Sequence, residues 1–221
     1  MYMSRIALNR RRRGAMKLLT SRHAMHAAVM SSFAPGTPTE GEDGRTLWRI
    51  DRDQEEVNLL IVSPAEPCLQ HLAEQAGWTT RNQWATRDYT AFLESVEADS
   101  SYAFRITGNP TRTLTDDKGK RVVGHQTVAH QRQWLVDKGV TNGFEVVTSS
   151  ADPDALALEL SERGVEQFRR QSSEVRLTTV RFDGELKVTD PNALRRALCH
   201  GIGRGKGYGC GLLTLLPVNA S

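Results

Sequence analysis

Cysteine is scarce in this 221-residue chain, and Cys68, Cys199 and Cys210 are odd in number and widely spaced. That excludes a disulfide framework, offers no zinc-ligand spacing, and points to a reducing cytoplasm as the simplest home. No apolar run approaches the ~20 residues of a membrane span. The opening Met1-Tyr-Met-Ser-Arg lacks a signal-peptide layout, because its basic cluster follows the apolar residues instead of preceding them. Aromatic residues are few, at 6%, and none is interleaved with basic residues on a strand as a single-strand RNA-recognition surface requires. Charge of one sign is not in large excess either, since the formal net charge is +3. Nucleotide-cofactor signatures are also missing. No glycine stands five residues before a Gly-Lys-Ser/Thr, and no G-x-G-x-x-G can be read.

What is present is concentrated near the end. Gly201-Ile-Gly-Arg-Gly-Lys-Gly-Tyr-Gly-Cys-Gly211 has glycine at every second position and runs into the apolar Leu212-Leu-Thr-Leu-Leu216. No helix tolerates that density, and a strand gains nothing from it. Such a run is either a flexible connector or a loop whose amides approach an anion closely. Arg204 and Lys206 add positive charge, so a phosphate of a polynucleotide backbone suits the second reading.

The rest of the charge is unevenly spread. Residues 1–100 carry 12 Lys/Arg against 13 Asp/Glu, and residues 101–221 carry 17 against 13. Arg10, Arg11, Arg12 and Arg13 form a run with Lys17 and Arg22 close behind, while acids gather between Glu40 and Glu56. The arginine run is either a solvated loop or a phosphate-binding edge. Local polarity of this kind suits nucleic-acid contact without the excess of a non-specific binder.

Hydrophobic periodicity predicts a strand over 3–9, a turn at Gly14, and a helix capped by Thr20 or Ser21 with Met25, Val29 and Phe33 as its buried stripe. Strands at 46–51 and 57–63, a helix over 69–76 and a strand within 78–87 complete the order β-α-β-β-α-β, the ferredoxin-like arrangement. The order restarts with a strand at 102–107, a basic loop past Lys118, Lys120 and Arg121, a helix at 126–138 and a strand at 144–148. Residues 153–163 read as a helical turn or an insertion. A hairpin turning at Asp183-Gly184, a helix from Pro191 and the final strand then close the second unit. The expected fold class is α+β, two tandem ferredoxin-like (RRM-like, βαββαβ) domains, 1–95 and 96–221.

His23 and His26 are the one reactive pair. Three residues apart, they share a helical face, and the positive end of the helix dipole favours a neutral imidazole able to act as a base. The alternative is two surface or cap histidines.

Together these pieces resemble the CasE family, the CRISPR repeat-cleaving endoribonucleases of type I-E Cascade within the RAMP superfamily. The resemblance rests on Tyr2-Met-Ser-Arg-Ile, Met25-His26, Leu47-Trp48-Arg49, Phe104-Arg105-Ile106 with Asn109-Pro110-Thr111, Trp134-Leu135 and Gly201-Ile-Gly…Lys206…Gly209-Cys-Gly-Leu-Leu. It implies metal-independent cleavage of precursor CRISPR RNA at the 3′ base of the repeat stem-loop, with no metal and no cofactor. It implies the repeat hairpin and the other Cascade subunits as partners, and no membrane. On the resemblance His26 is the acid/base. His23 stands where some members have an assisting Tyr, and Ser31 stands where a relative has a Lys. Arg10 to Arg13, Arg22, Arg169, Arg170, Gly203, Arg204, Gly205 and Lys206 are the expected RNA contacts, the Arg169-Arg170 pair as a basic hairpin edge. A non-catalytic RNA-binding scaffold is the alternative, and the histidine pair is what such a scaffold would have no reason to keep.

Overall fold

The computed structural model describes residues 1–53, 56–80, 84–117, 119–152, 154–170 and 173–218. The chain divides into two compact units. The first comprises Met1–Ser95 with Cys199–Gly201 and Lys206–Leu212, and the second comprises Val96–Leu198, Ile202–Gly205 and the chain from Leu213 onward. The sequence predicts one boundary after residue 95; here the glycine run is shared out, so each unit is discontinuous in sequence.

In the first unit the elements are β1 (Tyr2–Leu8), α1 (Arg13–Leu19), α2 (Arg22–Met30), the short pair β2 (Glu40–Gly41) and β3 (Gly44–Arg45), β4 (Leu47–Asp53), β5 (Glu56–Ser63), α3 (Gln70–Ala76), β6 (Trp84–Asp88) and α4 (Thr90–Glu94). The sheet order is β4-β5-β1-β6 with antiparallel neighbours, the ferredoxin-like order. Pairings such as Ile6↔Leu59 and Leu8↔Val57 set alternate apolar side chains on one face, where Leu18, Met25, Val29, Leu69 and Leu72 cover them.

The first helix is broken in two. Thr20 Oγ1 donates to the Met16 carbonyl at 2.8 Å and closes α1, and Ser21, in extended conformation, caps α2 by accepting from the Ala24 amide at 3.2 Å. Gly14 is not a turn but part of α1, where a Cβ would stand 2.3 Å from the Gln75 carbonyl, so glycine lets α1 close on α3. Phe33 falls beyond the end of α2. The strand expected within 78–87 is β6 and begins only at Trp84. Cys68 is exposed, Cys199 and Cys210 are buried, and none is joined in a disulfide. No described helix is long and apolar enough to cross a membrane.

The second unit contains β7 (Ser101–Gly108), β8 (Thr111–Asp116), β9 (Gly119–Gly124), α5 (Val128–Thr141), β10 (Phe144–Val146), β11 (Leu158–Arg170), β12 (Ser173–Val188), α6 (Pro191–His200, to Leu198 in this unit) and β13 (Leu213–Pro217). Its main sheet runs β10-β12-β7-β13, again the ferredoxin-like order, with β11 added on β12. The βαββαβ repeat therefore holds in both units, and three local expectations need correction.

The stretch expected as a basic loop is the β8–β9 hairpin, with Leu114 paired to Arg121; Lys118 lies outside the described residues. Residues 158–163 are not helical but begin β11, with a register shift between Ser161 and Gly164. Asp183-Gly184 is no turn: β12 runs straight through it, pairing Asp183 with Arg105 and Gly184 with Phe104. The Asp183 carboxylate is held by the guanidinium groups of Arg105 and Arg181. A Cβ at Gly184 would stand 2.3 Å from the Ala157 carbonyl, so this glycine serves close approach of a neighbouring segment.

Candidate active site

The site is built in the first unit, from α2 outward. Ser21 fixes the start of the helix, and Met25 and Val29, both buried, fix its rotation. That rotation leaves His26 half-buried beside the core stripe and His23 exposed one turn earlier. Ser31 caps the far end, its hydroxyl donating to the Ala27 carbonyl at 2.9 Å.

A one-turn 3-10 helix, Lys206–Tyr208, sits on α2. Arg22 Nη1 donates to the Tyr208 carbonyl at 2.7 Å and clamps the turn to the helix start. Gly207 then faces the imidazole: a Cβ there would stand 3.6 Å from His26 Cε1 and 3.7 Å from Nε2. Lys206 is half-buried beside it in the turn. Burial, and next the Arg45 cation, hold the Lys206 amine below the usual lysine range, with Glu40 pulling the other way. Arg45 is itself paired with Glu40 at 3.1 Å.

The alternating glycines acquire a reason here. Gly201, Gly203, Gly205, Gly209 and Gly211 all have φ between 74° and 90°, a region costly for side chains, and Gly207 is the exception. Two contacts in the first unit require the missing Cβ: at Gly201 it would meet Leu47 at 2.8 Å, and at Gly209 it would meet the Trp48 ring at 2.6 Å. Arg49 completes the grip. Its guanidinium is buried against Asp51, with N–O distances of 2.6 and 2.9 Å, and donates to the Leu212 carbonyl at 2.8 Å. Leu47-Trp48-Arg49 is thus the seat on which the glycine segment rests, one residue for each stretch of it.

The remaining candidates separate. Arg10, Arg11 and Arg13 are exposed at the entry to α1. Arg12 is engaged in the fold, donating to the carbonyls of Ala73 (3.3 Å), Gly77 (3.1 Å) and Glu74 at the end of α3. In the second unit Arg204 is exposed between Gly203 and Gly205, and a Cβ at Gly203 would stand 2.9 Å from Trp134. Arg169 and Arg170 end β11, their backbone paired with Glu174 and Ser173 of β12. The structure therefore gathers His26, Arg22, Lys206 and Gly207 around one helix face in the first unit. Arg45, which sequence reasoning passed over, stands in the same electrostatic neighbourhood. Its only sequence signal was its place three residues before Trp48, and that spacing carries no chemistry of its own.

Among the described residues no group of three or more His, Cys, Asp or Glu side chains is arranged to hold a metal ion. The functional cluster is one imidazole under a cationic, glycine-backed turn. It can move a proton beside a phosphate but offers no chelating set.

The model of the family described as "CRISPR associated protein" matches residues 1–217. The CRISPR-associated endoribonuclease Cse3 of Thermus thermophilus is 26% identical over 226 residues, covering 98% of this chain and 100% of the relative. The CRISPR system Cascade subunit CasE of Escherichia coli K12 is 31% identical over 125 residues, 52% of this chain and 57% of that protein. Among solved structures, a Cse3 endoribonuclease bound to a 19-nucleotide RNA superposes with a TM-score of 0.82 at 23% identity, covering 98% of this chain and 100% of that one. At that identity the likeness speaks for the fold, and it agrees with the ferredoxin-like order found in both sheets.

Proposed function

The chain belongs to the CRISPR associated protein family, and from that premise we propose that it is a type I-E CasE endoribonuclease acting in the cytoplasm. It cleaves precursor CRISPR RNA at the 3′ base of the repeat stem-loop, keeps the hairpin, and works beside the other Cascade subunits. The full-length match to a relative named as a CRISPR-associated endoribonuclease supports the reaction class. The observation that carries the reading is the seating of the Lys206–Tyr208 turn on the helix that bears His26.

In this reaction a base takes the proton of the scissile ribose 2′-OH and a new 2′-O–P bond forms. The P–O5′ bond then breaks, and the departing 5′ oxygen receives a proton. The products are a 2′,3′-cyclic phosphate and a 5′-OH, with no oxidant, reductant or water consumed. His26 moves protons, with exposed His23 as the second partner. Negative charge grows on the phosphorane, and Lys206 with Arg45 answers it in place of Ser31, whose hydroxyl is turned into its own helix. Arg22 holds the cationic turn in position. Arg10, Arg11, Arg13 and Arg204, with the Arg169-Arg170 hairpin edge, take the RNA backbone.

The test is cleavage of a synthetic repeat hairpin in EDTA. Wild type should cut at full rate, and His26→Ala should lose about 10³-fold in rate while binding the hairpin within twofold. A 2′-deoxy at the scissile nucleotide should block the cut. Loss of wild-type activity in EDTA, or persistence of activity in His26→Ala, would sink the reading.

A further inference from the structure

The second unit holds a cleft of which the proposed function uses only Arg204, at its rim. It has a volume of about 560 Å³ and is lined by Asn109, Thr111, the β8–β9 hairpin, Gln126, Arg176 of β12 and Arg204. The hairpin forms a two-stranded sheet of its own, outside the main sheet of the unit. An isolated hairpin is marginal in water, so something must hold it at its base. Gly124 does so: a Cβ there would stand 2.0 Å from the Thr178 hydroxyl of β12. The Thr178 amide in turn donates to the Asn109 side chain at 3.3 Å. The base of the hairpin is therefore packed directly on β12, which forms the floor of the cleft.

Its chemistry is two-sided. Leu114, Val122 and Val123 give it an apolar wall, and Val122 remains 43% exposed. Arg121, Arg176 and Arg204 give it a rim of three exposed guanidinium groups, and no Asp or Glu is among the lining residues. Arg121 also meets Asp116 at 3.3 Å, an exposed pair of the weak kind that a phosphate can displace. An apolar wall with a cationic rim matches an unstacked base with its flanking phosphates. The cleft has the size of a small-ligand site, whereas a duplex is far too wide to enter it. Guanidinium planes also stack on splayed bases, which is how unpaired RNA is held.

We infer that this cleft binds an unpaired nucleotide of single-stranded RNA flanking the repeat hairpin, base against Leu114 and Val122, phosphates on Arg121 and Arg176. The inference rests on the proposed function for the identity of the RNA, and it adds a single-strand subsite to a protein read so far as a hairpin binder. Arg204, anchored through Gly203 on Trp134, bounds the cleft on the glycine-segment side.

The experiment compares the full-length protein with the double variant Arg121→Gln/Arg176→Gln on four labelled RNAs, each 2′-deoxy at the scissile position. These are the bare repeat hairpin, the hairpin with a four-nucleotide unpaired 5′ flank, the same flank on the 3′ side, and the flank closed as a duplex. In wild type one unpaired flank should tighten binding about tenfold over the bare hairpin, and the duplex flank should not. The double variant should lose that gain, bind the bare hairpin within twofold, and cut an all-ribose bare hairpin at the wild-type rate. Its log–log salt slope for the flanked RNA should be shallower by about 1.4, the value for two single-strand phosphates. Arg121→Lys/Arg176→Lys should recover most of the slope, which a merely structural role would not allow. No flank gain in wild type, a gain surviving in the Gln variant, or equal weakening of the bare hairpin would overturn the subsite. Failure of wild type to bind the bare hairpin at all would instead overturn the proposed function.

Discussion

Gly207 lies against the imidazole of His26, its missing Cβ 3.6 Å from Cε1 and 3.7 Å from Nε2. Unlike the other five glycines of the alternating run it has no positive φ, and 3.6 Å is ordinary van der Waals spacing. Neither the backbone nor the packing against His26 therefore requires glycine here; an added methyl would instead cover the imidazole face that the scissile phosphate must reach. Gly207→Ala should fold with an unchanged melting temperature, bind the repeat hairpin within about threefold, and lose roughly 10²-fold in single-turnover cleavage. In a His26→Ala background it should cost nothing further, because the two act on one event. A loss of stability, or an equal loss in both backgrounds, would show that the glycine serves the fold.

Lys206 carries its charge against a penalty. Burial first, and the Arg45 cation second, lower its pKa from the ordinary 10.5. Between the lowered value and 10.5 the unfolded chain binds more protons than the folded one, so this group's contribution to stability rises as pH climbs through that window. At neutral pH the charge works against folding. Lys206→Gln should therefore melt slightly higher than wild type at pH 7. That difference should vanish as the pH approaches 10.5. Cleavage should fall by about 10²-fold or more, the usual loss for one charge-stabilising group. A variant that melts lower, or one that cuts normally, would remove Lys206 from this role.

Much of this was readable from spacing. The period-3.6 stripe of Met25 and Val29 and the cap at Ser21 locate the helix of His26, and the apolar runs at 46–51 and 57–63 locate two strands of one sheet. What spacing hid was long-range. Asp183-Gly184 carries the chemistry of a turn, yet Arg105 and Arg181 from two strands hold the aspartate and Ala157 crowds the glycine, so the strand continues. The glycine segment looked like a binding element remote from the histidine. Its tie to α2 runs through Arg22 and a backbone carbonyl at residue 208, a bond that spans 186 positions and has no sequence signature. Leu47-Trp48-Arg49 was legible only as part of a resemblance; its use as the seat of Gly201, Gly209 and Leu212 is a fact of packing.

The four arginines at 10–13 look alike in sequence and should behave differently. Arg12 closes the end of α3 through three carbonyls, while its neighbours are exposed. Arg12→Ala should cost about 1–3 kcal/mol of stability and leave the hairpin affinity of the folded protein within twofold. Arg10→Gln/Arg11→Gln/Arg13→Gln should leave urea unfolding unchanged and weaken hairpin binding. Its salt slope should be shallower by up to about 0.9 for each phosphate no longer neutralised. Weakened binding in Arg12→Ala at full folding would place all four on the RNA.

The Arg49–Asp51 pair tests whether the seat of the glycine segment is electrostatic or steric. Both side chains are buried, Arg49 to 1% exposure, and the guanidinium also supports the Leu212 carbonyl at 2.8 Å. Removing one partner strands a buried charge, so Arg49→Met alone should cost about 3–5 kcal/mol in urea unfolding. Replacing both, as Arg49→Met/Asp51→Leu, removes the stranded charge and should recover most of that stability, because two apolar chains fill the same volume. Cleavage should not recover with it. The double variant still lacks the donor for the Leu212 carbonyl, so the segment that carries Lys206 and Gly207 loses its far anchor and samples positions away from His26. Recovered folding with a cleavage rate still depressed about tenfold or more would assign Arg49 to positioning the site. Recovery of both together would make the pair a purely structural feature of the first unit, with Trp48 and Leu47 sufficient to hold the segment.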